Sequence, residues 1–158
     1  MFLDEQLGNG CVWINLDVEK IKNLEDLSEI YGLDKETIEY ALDRNERAHM
    51  DYNRENGTVT FIYNVLDLER DKEYYEAIPM TFIVEKQRMI TISNHKNAYV
   101  IERMLTYLKT HETISIYKFL FASLELISNA YYPVIEEMDK SKDEISALLR
   151  QTTTKKNL

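Results

Sequence analysis

Ile114 to Leu149 reads ISIYKFLFASLELISNAYYPVIEEMDKSKDEISALL, and the recurrence of its apolar residues governs how the rest of the chain is read. Tyr117, Leu120, Phe121, Leu124 and Ile127, then Tyr131, Val134, Ile135, Met138, Ile145 and Leu149, fall on one stripe at about 100° per residue. That is helical period. As one continuous helix the stretch would run roughly 55 Å. A domain built from the residues before it would have a radius of gyration of only about 13 Å. So long a helix must project beyond such a body.

Its two halves differ. From Ile114 to Ile127 only Lys118 and Glu125 are charged, and Phe119 and Leu126 make even the back face apolar, so this half reads as buried. After Pro133 the back face is ionic, with Glu136, Glu137, Lys140, Asp143 and Glu144. Pro133 removes a backbone donor and biases Tyr132 away from helix. Two helices joined at the proline, or one kinked helix, both satisfy this pattern.

Working back toward the N-terminus, Asn97 to His111 has the pattern of a helix burying Val100, Met104, Leu105 and Leu108. Before it lie two apolar strands, Ile78 to Val84 and Met89 to Ser93, joined by EKQR. An acidic loop, Glu69 to Glu76, separates them from the strand Thr58 to Leu68, which is apolar on both faces and reads as central. Asn56-Gly57 predicts a two-residue hairpin turn back to a strand over His49 to Arg54. Earlier still, Asp34 N-caps a helix DKETIEYALDRNER, with Leu33 and Ile38 as a hydrophobic staple. Asp17 to Tyr31 reads as an amphipathic helix burying Ile21, Leu24, Leu27 and Ile30 and closed by Gly32. Gly10 to Leu16 is a strand built on Trp13.

The order β-α-α-β-β-β-β-α-α predicts the α/β class: an α/β/α layered domain with a mixed, largely antiparallel sheet, followed by a long helical extension. The boundary falls at 112, with a domain over 1–112 and a helical arm over 113–158.

With 158 residues there is room for one domain and an extension. A net charge of −9 argues against nucleic acid and suits metal cations or basic partners. The single cysteine, Cys11, excludes an internal disulfide and reads as a packed thiol in the run CVWINL. The N-terminus MFLDEQLGNG is no signal peptide, and YKFLFASLELIS is too short and too charged to span a membrane, so a cytoplasmic chain is expected. The end, RQTTTKKNL, lacks a helix stop and suggests a piece of something longer.

No nucleophile elbow, phosphate-binding glycine loop or HExxH stands in the chain, and the reading is not an enzyme. His49 and Asp51, two apart on a strand, share a face that suits either a metal or solvent. Glu36, Glu39, Asp43 and Glu46 recur at three and four residues and line one helix face. That face is either simply solvated or a hard-cation site shared with another chain. Magnesium keeps several waters and needs only one or two carboxylates.

Taken together, CVWINLD, LEDLSEIYGLDKETIEYALDRNERAHMDY and the apolar strands resemble the N-terminal cytosolic domain of CorA-type magnesium transporters. The matching residues are Trp13-Ile14-Asn15, Ile30-Tyr31-Gly32-Leu33 and Arg47, with MITISNHKNAYVIERML matching the later strand and helix and ISIYKFLFASLELISNAYYPVIEEMDKSKDEI the start of the helical arm. The resemblance implies the cytosolic regulatory domain of a homopentameric Mg2+ or Co2+ channel in the cell membrane, gated by intracellular cation. The family's membrane helices and Gly-Met-Asn motif are not in this chain. Some relatives in the family export zinc. The position matching the family's cation-sensing aspartate is Tyr40, so the carried-over metal candidates are Glu39 and Asp43. A free-standing scaffold that self-associates through the Ile145–Leu149 end is the rival expectation.

Overall fold

The computed structural model describes residues 3–69, 75–111 and 113–156, with side chains as far as Thr152. The strands are β1 (Leu3–Gln6), β2 (Val12–Asp17), β3 (His49–Asn53), β4 (Thr58–Leu66), β5 (Ala77–Val84) and β6 (Arg88–Ser93). The helices are α1 (Glu25–Glu29), α2 (Lys35–Leu42), α3 (Ala98–Leu108), α4 (Ile116–Asn129) and α5 (Tyr132–Lys156). The loop expected over 69–76 and the last residues of the chain lie partly outside the described residues.

One six-stranded sheet has the order β1-β2-β6-β5-β4-β3. Among the described residues only β2 and β6 run parallel; every other neighbouring pair is antiparallel. The mixed, largely antiparallel sheet expected from the sequence is therefore present. Because side chains alternate along a strand, β2 and β6 each feed both faces. Leu16, Ile90 and Ile92 pack with Ile83, Leu27 and Leu33 into an aliphatic cluster, joined at its edge by Ile38 and Ala41 of α2. On the opposite face Trp13 meets Phe119 of α4 edge-on, with ring centroids 5.1 Å apart, and Tyr107 of α3 stacks on Phe119 at 6.5 Å.

Several local expectations hold. Asp34 caps α2, accepting from the Thr37 N–H at 2.7 Å, and Leu33 and Ile38 join one cluster. Gly32, at φ 69°, turns the chain out of α1 and donates its N–H to the Ser28 carbonyl. Arg88 then donates to the Tyr31 carbonyl at 2.6 Å, which ties this turn to β6.

Others are corrected. The stretch from Asp17 to Tyr31 is not one helix: a 3-10 turn over Val18–Lys20 precedes a five-residue α1. Asp17 accepts from the Glu19 N–H and Asn23 from the Glu25 N–H, both at 3.1 Å, so two side chains offer the backbone local alternatives to a helical ladder. Leu27 alone is buried there, while Leu24 and Ile30 are exposed. The helix after Asp34 stops at Leu42, not at residue 47, and Asp43 is already extended at ψ 113°. The hairpin loop holds the four residues 54–57, because Asn53 pairs with Thr58 and the Gly57 N–H, at φ 72°, returns to the Asn53 carbonyl. Next to the edge strand, β4 is only half-buried on its Phe61 and Tyr63 face; β5 and β6 are the central strands. The chain's first residues add an edge strand, β1, that its polarity concealed.

The compact units of the chain are Met1–Ile127 and Ser128–Leu158, whereas the sequence reading set its boundary at 112. Most of α4 thus belongs to the first unit. Its buried face is also rotated from the expected stripe. Ile116, Phe119, Leu120, Ser123 and Ile127 are buried, while Tyr117 and Phe121 are exposed. Of the two arrangements open at Pro133, two helices are found: α4 ends at Asn129 and α5 begins at Tyr132. Pro133 sits in the first turn of α5, where its missing N–H costs no helical bond. Along α5, Ile135, Met138, Ile145 and Leu149 are exposed.

Candidate functional site

Among the described residues, two concave regions of the first unit take in three of the acidic residues singled out from the sequence: Glu36 and Asp51 line one, Asp43 lines the other, and Glu39 and Glu46 line neither. The smaller is a groove of about 250 Å³ between α2 and the β3–β4 hairpin. Asp34, Glu36 and Asp51 line it with the hydroxyls of Thr37, Tyr40, Thr58 and Thr60. Residues 36 and 40 stand one turn apart on α2, so the Tyr40 hydroxyl reaches Glu36 and donates to it at 2.6 Å. That hydrogen bond, followed by the Glu36 charge and more weakly Glu46 and Asp51, pushes the Tyr40 phenol above its usual range. The groove is a region of negative potential.

His49 and Asp51 do not converge on a common point. The His49 ring stands edge-on to Tyr40, and its Nδ1 lies 2.8 Å from the Arg47 carbonyl and 3.6 Å from the Glu46 carboxylate.

The larger cleft, about 530 Å³, opens at the carboxyl ends of the parallel strands β2 and β6. Glu19, Asp43, Arg44, Glu76, His95 and Lys96 contribute its charged lining. Lys96 reaches out of the turn after β6 to the buried carboxylate of Asp67, with Nζ to Oδ2 at 2.5 Å. That hydrogen bond, and then the Asp67 charge, hold the Lys96 ammonium above the usual lysine range. His95 pairs with Glu19 across the two parallel strand ends. None of this was legible in the sequence, because it brings together residues that follow β2, β4 and β6, far apart along the chain.

Glu39 and Asp43 meet different surroundings. Glu39 is exposed on α2 and faces Lys35 at 3.5 Å. Asp43 ends the helix, accepts from the Asn45 N–H at 2.8 Å, and lines the larger cleft. Since α2 ends at Leu42, Asp43 and Glu46 do not extend its face as the spacing suggested. Among the described residues no group of three or more His, Cys, Asp or Glu side chains is placed to hold a metal ion. Among them, too, no helix is long and apolar enough to cross a membrane.

Known proteins of similar build identify the architecture. The soluble domain of CorA from Methanocaldococcus jannaschii superposes with a TM-score of 0.66 at 18% identity, over 88% of this chain and 55% of that one. The complete CorA magnesium transporter of the same organism gives 0.68 at 18%, over 92% and 46%. The cytoplasmic domain of ZntB from Vibrio parahaemolyticus gives 0.67 at 11%, over 88% and 55%. The chain thus spans about half the length of these solved proteins. At such identities the likeness is one of fold. No curated protein sequence matches the chain. The model of the CorA-like Mg2+ transporter protein family, however, matches residues 8–158, from the turn before β2 to the end of the helical arm, and on that match the chain belongs to this family.

Proposed function

We propose that this chain is the cytoplasmic regulatory part of a CorA-type Mg2+ or Co2+ channel, making the gate responsive to intracellular cation. The observation that carries the reading is the family match over residues 8–158, together with the shared sheet-and-arm architecture. The work of such a part is conformational rather than catalytic. In this reading copies of the chain assemble as a homopentamer, and further segments of the parent protein supply the pore in the cell membrane.

Among the described residues Glu39 and Asp43 have different surroundings, and no group of three or more His, Cys, Asp or Glu is placed to hold a metal ion. The proposal therefore places the cation between copies. One or two carboxylates from each are enough for magnesium, which retains part of its water shell. Like charges 4 Å apart repel by about 1 kcal/mol in water and about 4 at a protein surface, and a dication between subunits removes that repulsion. The alternative reading is a zinc-exporting member of the same family.

Sedimentation of the chain with and without millimolar magnesium tests the role, with the Glu39→Ala/Asp43→Ala double variant as control. Magnesium-dependent association that the double variant loses is the expected result. A monomer indifferent to magnesium would remove cation sensing from this part of the molecule. The same runs with cobalt and zinc rank the ions.

A further inference from the structure

We propose that the free edge of β3 is a docking strand for an extended segment of another protein in which basic and apolar residues alternate. This inference does not depend on the transport reading. Among the described residues β3 is the last strand of the sheet and pairs only with β4, so one side of its backbone has no strand partner among them. Natural edges are commonly blunted by proline, lysine or a bulge. His49–Asn53 has neither residue, and its register against β4 runs without interruption.

The two faces of this strand differ in chemistry. Asp51 and Asn53 face the groove, where Asp34 and Glu36 add further carboxylates and no Lys or Arg contributes to the lining. Asp34 is engaged as a helix cap and Glu36 by Tyr40, whereas the Asp51 carboxylate makes no hydrogen bond or ion pair among the described residues. Arg47 and Arg54 lie beyond the two ends of the strand, outside the groove. On the opposite face Met50 and Tyr52 are 62% and 55% exposed, which is high for large apolar side chains beside a sheet.

A strand added to this edge would send alternate side chains to alternate faces. One set would meet Asp51 and the groove, the other Met50 and Tyr52. Charge complementarity makes the first set lysine or arginine, and burial of Met50 and Tyr52 makes the second set apolar. Self-pairing is disfavoured: an antiparallel copy of β3 centred on Asp51 would set two carboxylates directly opposite one another.

The test is fluorescence anisotropy of the whole chain, in magnesium-free buffer, with a labelled heptapeptide of alternating lysine and valine. Three further peptides act as controls: one with glutamate for lysine, and two N-methylated on one or the other set of alternate backbone nitrogens. The N-methylated peptides keep their charge but lose the N–H groups of one edge. Binding of the parent peptide is expected, weakened about tenfold or more by Asp51→Lys, by Tyr52→Ser and by N-methylation of one set. Circular dichroism confirms that both variants fold, and the peptide controls need no variant at all. Equal affinity for all three lysine peptides would overturn the proposal in favour of bulk charge attraction. Absence of binding would also overturn it, as would self-association of the chain that Asp51→Lys abolishes, because a second copy would then be the occupant.

Discussion

At β2 and β6 the two faces of the sheet are both buried and chemically unlike. Toward α1 and α2, β2 and β6 present Leu16, Ile90 and Ile92, whose cluster is aliphatic apart from Tyr31 at its edge. Toward α3 and α4, the same strands present Trp13, Asn15, Thr91 and Ser93, each at most 6% exposed. These four make one line of hydrogen bonds. The Trp13 indole donates to Thr91 at 3.0 Å, Thr91 donates to the Asn15 carbonyl oxygen at 2.8 Å, and the Asn15 amide donates to Ser93 at 3.0 Å. An aliphatic face is held by area and shape, and tolerates some repacking. A buried polar line tolerates none of its members being left unpaired, and so fixes the register of β2 on β6 as well as adding stability.

The largest effect should come from Trp13→Ala. It removes the biggest buried side chain, the ring contact with Phe119 and the donor to Thr91, and should cost about 3–5 kcal/mol in urea unfolding. Leu16→Ala, its counterpart across the sheet, should cost about 2–5 kcal/mol. If Leu16→Ala proves the more damaging by a clear margin, the aliphatic face is the keystone and the contrast between the faces fails.

Asn15→Ala sharpens the comparison, because it deletes little apolar area yet strands both Thr91 and Ser93. A loss of about 1–3 kcal/mol is expected from equilibrium unfolding, and a loss below about 0.5 would show that the line is ornamental.

The smallest effect concerns a polar pair outside this line, Lys96 with Asp67. The folded-state pKa of Lys96 is raised, so its contribution is complete below the ordinary lysine pKa and is lost as pH rises through the raised value. Urea midpoints followed from about pH 9 to about pH 11.5 should fall for the wild type. The Asp67→Asn variant should show a shallower fall over the same range.

Much of this contrast is legible in the sequence alone. Alternation in VWINLD and RMITIS is compatible with two distinct faces, and the apolar runs at 78–84 and 89–93 mark strands, although the run at 58–68 was read as the central one and lies next to the edge. Local signals were equally clear where one residue type has one physical use: the Asp34 cap, the left-handed turn at Gly32, the staple of Leu33 and Ile38. The reading failed where two local solutions compete. Asp17 and Asn23 can each bond a nearby N–H in place of helix, and the apolar period over 17–31 does not record that choice. On α4, Phe119 and Phe121 are equally apolar, so period alone could not say which of them would face Trp13. The candidate site was the least legible part. The one-turn pairing of Glu36 with Tyr40 follows from spacing, but Asp51 enters that groove only because the hairpin folds beside α2.

By itself, then, the sequence determined five of the six strands, where α2 starts and the chain turns at Gly32, the layered class and the family resemblance, because these follow from short-range sterics, capping and period. The tertiary structure alone decided the parallel pairing of β2 with β6, the rotation of α4 and the position of β3 at the sheet edge. Each of those depends on contacts between residues far apart in the chain, where several arrangements satisfy the local preferences equally and only close packing selects one.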